Sequence, residues 1–166
     1  MQRAIDDLAG ILERQIRNYQ TLKDLLLKKR KTIIAHDLKQ LADITLQIET
    51  LIGSNNQLEI GRIDLAKRIA KELGLRHSRP TLAQIAERVE EPASKRLLEL
   101  RRRTTEAIQE VQRQNRINGE LLKYSADLID SVLRRLVEPA SDTATYGSTG
   151  QAKGKTALVS LLDQHV

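Results

Sequence analysis

From Leu97 to Leu136 the chain steps through Leu97, Arg101, Thr104, Ile108, Val111, Asn115, Asn118, Leu122, Ser125, Ile129, Val132 and Leu136, alternating four and three residues without a slip. An average step of about 3.5 keeps one stripe of a helix turned toward the same neighbour, so the pattern specifies a coiled-coil-like seam. Sustained to Pro139, it predicts a helix over about residues 93–137, roughly 65 Å long at 1.5 Å per residue. A helix of that length needs partners of comparable length to cover its seam.

The preceding residues supply them. Ile5, Leu8, Leu12, Ile16, Tyr19, Leu22 and Leu26 form one apolar stripe that continues to Ile33 and Ile34. Asp37 with Gln40 three residues later is a capping-box pattern that starts a second helix. Its stripe runs through Leu41, Ile44, Ile48, Leu51, Leu58, Leu65, Ile69 and Leu73, interrupted by Asn55 and Arg62. Gly74 suits the left-handed position after a helix end, with Leu75 as the hydrophobic contact beyond it. Arg76 to Pro80 reads as a turn. Thr81 and Gln84 form another capping box, opening a short helix with Leu82, Ile85 and Val89 inward. Pro92 falls at the first turn of the long helix.

Composition agrees. The 166 residues hold no Cys, Trp or Phe and three Tyr, so the core must come from Leu, Ile, Val and Ala, which fill seams between long helices. The expected fold is all-α: an elongated antiparallel bundle of three long helices with coiled-coil-like packing, one short connecting helix and a flexible C-terminal tail. The bundle spans residues 1–137. Residues 138–156 are small, polar and glycine-rich and read as a linker. Residues 157–166 regain apolar spacing at Leu158, Leu161 and Leu162.

Enzyme signals are poor. His36, His77 and His165 fall at two turns and the tail, with no carboxylate or histidine at metal-ligand spacing. The absence of cysteine excludes disulfides, thiolate chemistry and sulfur metal sites. Near Gly150 to Thr156 the sequence approaches a phosphate-binding loop, but Thr149 stands where the first glycine is required, and no strand precedes it. No cofactor is expected. The charged amphipathic start does not read as a signal peptide, and no apolar run approaches a membrane span, so a cytoplasmic protein is expected.

The net charge of +6 raises nucleic acid as a partner. Thr81 to Val89 resembles half of a helix-turn-helix, but Glu90 stands where the turn glycine belongs and Arg96 where a buried aliphatic belongs. The basic runs Lys28–Lys31 and Arg101–Arg103 read as solvated helix faces. Nucleic-acid binding and a coiled-coil adaptor of another assembly stand as alternatives.

Asn115 and Asn118 put two amides on the predicted seam. Amides there fix helix register at a cost in stability. Gly119, one turn on, leaves room for a close neighbour at about 1 kcal/mol against Ala. The three are assigned a structural register role.

The run Asn115–Leu122 (N-R-I-N-G-E-L-L), followed beyond the helix by Thr145–Gln151 (T-Y-G-S-T-G-Q), resembles the FlgN family of flagellar type III export chaperones. Family members carry a similar N-x-x-N-x-x-L-L run and then a Y-G-x-x-G-Q-like turn, and the layout of helices is similar over nearly the whole chain. The resemblance implies a cytoplasmic chaperone that binds unassembled hook-associated proteins, which join hook to filament, and delivers them to the export gate. It implies that Tyr146, with Gly147, docks on the gate, and that the stretch with Leu158, Val159, Leu161 and Leu162 helps hold the client. Homo-oligomerisation is left open. An aromatic in a polar, glycine-flanked loop has no core to enter, which suits a partner contact independently.

Overall fold

The computed structural model describes residues 1–75 and 80–137, and these form four helices: α1 (Gln2–Ile34), α2 (Leu38–Glu72), α3 (Leu82–Ala86) and α4 (Ala93–Val137). No strand occurs among the described residues. The protein is an all-α helical bundle with three long helices and one short one. It divides into two units, Met1–Leu122 and Lys123–Val166, a boundary that falls inside α4 rather than at its end.

In the first unit α1 and α2 are antiparallel, and the first part of α4 runs parallel to α1. Ile5, Leu8, Leu12 and Ile16 of α1 share a core with Leu65 and Ile69 from the end of α2 and with Leu97 and Leu100 from the start of α4. At the other end Leu22, Leu25 and Leu26 pack with Ile44 and Ile48 of α2, and Val111 of α4 lies against them. Leu8, Leu12, Ile69, Ile85 and Leu97 are fully buried, each contributing about 1.5–3 kcal/mol of transfer free energy. No aromatic enters either cluster.

Two polar residues interrupting the α2 stripe lie between these clusters. The buried Gln15 amide donates to Glu59 Oε2 at 3.0 Å, and Arg62 grips both Glu59 oxygens at 2.8 and 2.5 Å. Those bonds, from Arg62 first and then Gln15, hold the Glu59 carboxyl below its ordinary range against the opposing effect of burial. Gln15 Oε1 and Asn55 Oδ1 are buried without a hydrogen-bond partner among the described residues, each costing about 1–3 kcal/mol. A cleft of about 440 Å3 opens beside Gln15, Glu59 and Arg62. The middle of the first unit is therefore packed less tightly than its two ends.

α3 closes one end. Thr81 and Gln84 form the reciprocal capping box, with Oγ1 accepting from Gln84 N at 3.3 Å and Gln84 Oε1 accepting from Thr81 N at 2.9 Å. Ile85 and Ala86 enter the first core cluster. The hydroxyl of Ser94 donates to the Ala86 carbonyl at 2.7 Å, tying the end of α3 to the start of α4. Arg96 lies on the surface, where it pairs with Asp6 and Glu13 of α1, so the position a DNA-reading motif would bury carries a helix-to-helix ion pair instead.

The helices α1 and α2 end in the same terminator. After α2, Gly74 takes φ +71° while Leu75 N donates to Ala70 O at 2.9 Å and Gly74 N to Lys71 O at 3.2 Å, which is the Schellman pattern. After α1 the corresponding bonds run from Asp37 N to Thr32 O at 3.1 Å and from His36 N to Ile33 O at 3.2 Å. Here the left-handed residue is His36, at φ 54°. Asp37 then caps α2, its carboxylate accepting from Gln40 N at 2.9 Å. A side chain in this conformation costs about 1–2 kcal/mol relative to its right-handed state, and glycine avoids that cost while losing more chain entropy. His36→Gly is predicted to raise stability by about 0.5–1 kcal/mol in urea unfolding, and Gly74→Ala to lower it by about 1 kcal/mol. A lowered midpoint for His36→Gly would contradict the assignment of strain there.

Candidate functional site

The seam of α4 differs from the predicted one at every second position. Leu97, Thr104, Val111, Asn118 and Ser125 lie on it as expected. The intervening positions are Leu100, Ala107, Gln114 and Leu121, buried or half-buried, whereas Arg101, Asn115 and Leu122 are exposed and Ile108 lies half-buried beside the stripe. The correction follows from helix geometry. Steps of four–three and three–four from the same anchor residues give stripes one residue apart, and α4 packs with the three-first choice. Asn115 therefore leaves the predicted polar pair, and Gln114 replaces it. Gly119 is exposed, with nothing among the described residues within 4 Å of the position its Cβ would take, so none of them approaches through it.

Gln114 and Asn118 build a polar layer against α1. Asn118, 2% exposed, donates from Nδ2 to the Leu26 carbonyl at 2.7 Å and accepts from Arg30 Nε at 3.2 Å. Arg30 Nη2 donates to Gln114 Oε1. Gln114 Nε2 in turn donates to Glu110 Oε1 at 2.7 Å. The Arg113 guanidinium, followed by this Gln114 bond, holds the Glu110 carboxyl down to about 2. Each of these side chains thus has a partner, and Arg30, drawn from the basic run Lys28–Lys31, is bound to the protein's own amides. In the second basic run, Arg102 is paired with Glu99 and Glu106.

The second unit shows a different surface. Ile129, Val132, Leu133 and Leu136 fall at i, i+3, i+4 and i+7 on α4 and are 56%, 47%, 54% and 70% exposed, with Leu128 beside them at 50%. Sequence reasoning placed Ile129, Val132 and Leu136 on a packed seam. Apolar spacing finds such a stripe but does not say whether the same chain covers it. The polar side of this stretch carries an Asp130–Arg134 ion pair at 2.8 Å. An apolar stripe at this spacing is what an amphipathic helix presents to another helix or to a groove.

The remaining predicted site residues, Tyr146, Gly147, Leu158, Val159, Leu161 and Leu162, lie outside the described residues. Among the described residues no cluster of His, Asp or Glu is arranged to hold a metal ion, and no helix is long and apolar enough to cross a membrane.

Comparison with known proteins gives one match. A family model described as FlgN protein matches residues 1–154. No curated protein and no solved structure matches the chain. The matched stretch takes in the four described helices and residues 146–151 beyond them, and the chain belongs to the FlgN family of flagellar export chaperones.

Proposed function

We propose that this protein is a cytoplasmic chaperone for hook-associated proteins, and that it grips an amphipathic helical segment of the client with the stripe Ile129, Val132, Leu133 and Leu136. The observation that carries the reading is the exposure of these four residues at helix-pairing spacing in a family of export chaperones. A lone amphipathic helical segment cannot bury its apolar face by itself, and a stripe of this kind supplies the missing partner. The tail stretch Leu158, Val159, Leu161 and Leu162 adds a second apolar contact to the same client. Tyr146, with Gly147, docks on the export gate. Release needs no nucleotide chemistry from this chain, because an exposed two-helix contact of this length is readily exchanged.

Binding of a purified hook-associated protein, followed by calorimetry, tests the assignment. Val132→Asp is expected to weaken it by about thirtyfold, the effect of removing roughly 2 kcal/mol from the centre of an interface. Unchanged affinity would remove the stripe from the client site. Tyr146→Ala is expected to leave affinity unchanged while reducing export of the same subunit. Equal loss of affinity would place Tyr146 on the client instead.

Asn118 is proposed to set the register of α4 against α1, since its amide bonds to the Leu26 carbonyl and to Arg30 are satisfied together only where those two groups meet it. Asn118→Ala is predicted to cost about 2 kcal/mol in urea unfolding by leaving buried groups unpaired. Asn118→Leu is predicted to cost less while producing more than one set of backbone amide signals for residues 22–34. A single sharp set of signals in Asn118→Leu would show that register is fixed elsewhere.

A further inference from the structure

Only Ala35, His36 and Asp37 connect α1 to α2, so Ile34 ends one helix and Leu38 begins the next at the tip of a tight hairpin. Leu38 is 77% exposed, the most of any large apolar residue among those described, and Ile34 is 62% exposed. Neither serves the fold there. Asp37 caps α2 through its own carboxylate, and the core face of this end of α1 is carried by Leu22, Leu25, Leu26 and Ile33. A chain that needed only a turn would place polar residues at both positions.

Positive charge surrounds this apolar tip. Residues 28–39 include five basic side chains and one carboxylate, Asp37. Arg30 is bound to Asn118 and Gln114. Lys28, Lys31 and Lys39 are exposed and Lys29 is half-buried, and no ion pair holds any of the four among the described residues. The nearest pair along α1 is Lys23–Asp24, at 3.9 Å. On the outer face of α1, Leu27, Lys31 and Ile34 fall at i, i+4 and i+7 and are all exposed, so apolar and basic side chains alternate toward the tip.

From this juxtaposition we infer that the α1–α2 tip docks on an anionic lipid surface. Ile34 and Leu38 enter the boundary between headgroups and acyl chains, and Lys28, Lys29, Lys31 and Lys39 face the lipid phosphates. Each lysine near such a surface strengthens binding about fivefold, and the two aliphatic side chains add the apolar part. A nucleic acid would use the lysines and leave Ile34 and Leu38 in water. A partner helix would need apolar residues spaced along one helix, whereas these two project from the ends of two helices at a corner. An anionic membrane uses both features. Two inserted side chains and four lysines give reversible binding that salt screens, not anchoring. The inference does not depend on the client reading, which concerns α4.

Co-sedimentation of the full chain with lipid vesicles tests it. Vesicles of phosphatidylglycerol and phosphatidylcholine in equal parts are expected to carry the protein down at low salt, and vesicles of phosphatidylcholine alone to leave it in solution. Lys31→Gln with Lys39→Gln is expected to weaken binding about twenty-fivefold. Ile34→Ser with Leu38→Ser, which leaves every charge in place, is expected to weaken it about tenfold. All four side chains are exposed, so the helical circular-dichroism signal is expected to stay unchanged in both variants. Absence of binding to the anionic vesicles would overturn the inference. So would binding that either double variant leaves unchanged. If the serine variant bound vesicles as well as the parent, and the chain were held on a DNA duplex through the same lysines, the tip would belong to nucleic acid instead.

Discussion

The arrangement of this protein depends on the in-register, parallel packing of α1 and the first part of α4. Contacts between the two keep nearly the same offset from Arg96, paired with Asp6 and Glu13, to Asn118, bonded to the Leu26 carbonyl and to Arg30. The first pairs are exposed and contribute little on their own. The Asn118 layer is buried and satisfied, so slipping α4 by one turn would strand several polar groups at a cost of about 1–3 kcal/mol each. Apolar packing alone would tolerate such slips, because Leu, Ile, Val and Ala meet one another equally well at several registers. A core built without a single aromatic makes that tolerance greater.

This constraint also separates the two apolar surfaces of α4. Up to Leu121 its seam is spent on the protein's own core. In the second unit the apolar residues Ile129, Val132 and Leu136 follow the four-first stripe that the core does not use, and they are exposed. One helix thus serves first as structure and then as surface. The nucleic-acid alternative loses part of its support for a related reason. The basic runs that suggested it supply Arg30 to the polar layer and Arg102 to pairs with Glu99 and Glu106.

Much of the fold was legible because it is written in local chemistry. Asp37, Gly74 and the Thr81–Gln84 box act within one helical turn of their own positions, so spacing suffices to place them. The terminator at His36 was missed because it lacks glycine, although histidine is among the residues that visit the left-handed region more often than most. The off-by-one seam of α4 arose where neighbours are chemically equivalent. Gln114 beside Asn115 and Leu121 beside Leu122 offer the same residue type on either stripe, and Leu100 beside Arg101 was the one sequence signal that favoured the stripe that packs. The polar middle was half visible, since Asn55 and Arg62 broke the α2 stripe, whereas Gln15 on α1 gave no sign of facing them. The exposed stripe of the second unit was seen as apolar spacing and misread as core, because periodicity reports a face and not what covers it.

The most direct test of the account is hydrogen exchange of residues 123–137, measured in the free chain and with a hook-associated protein bound. A helical stretch whose apolar side chains are exposed should exchange within a few orders of magnitude of an unstructured chain. The account predicts fast exchange there in the free protein and strong protection on binding, centred on Ile129 to Leu136. Protection confined to other helices, with exchange at 123–137 unchanged by the client, would contradict it.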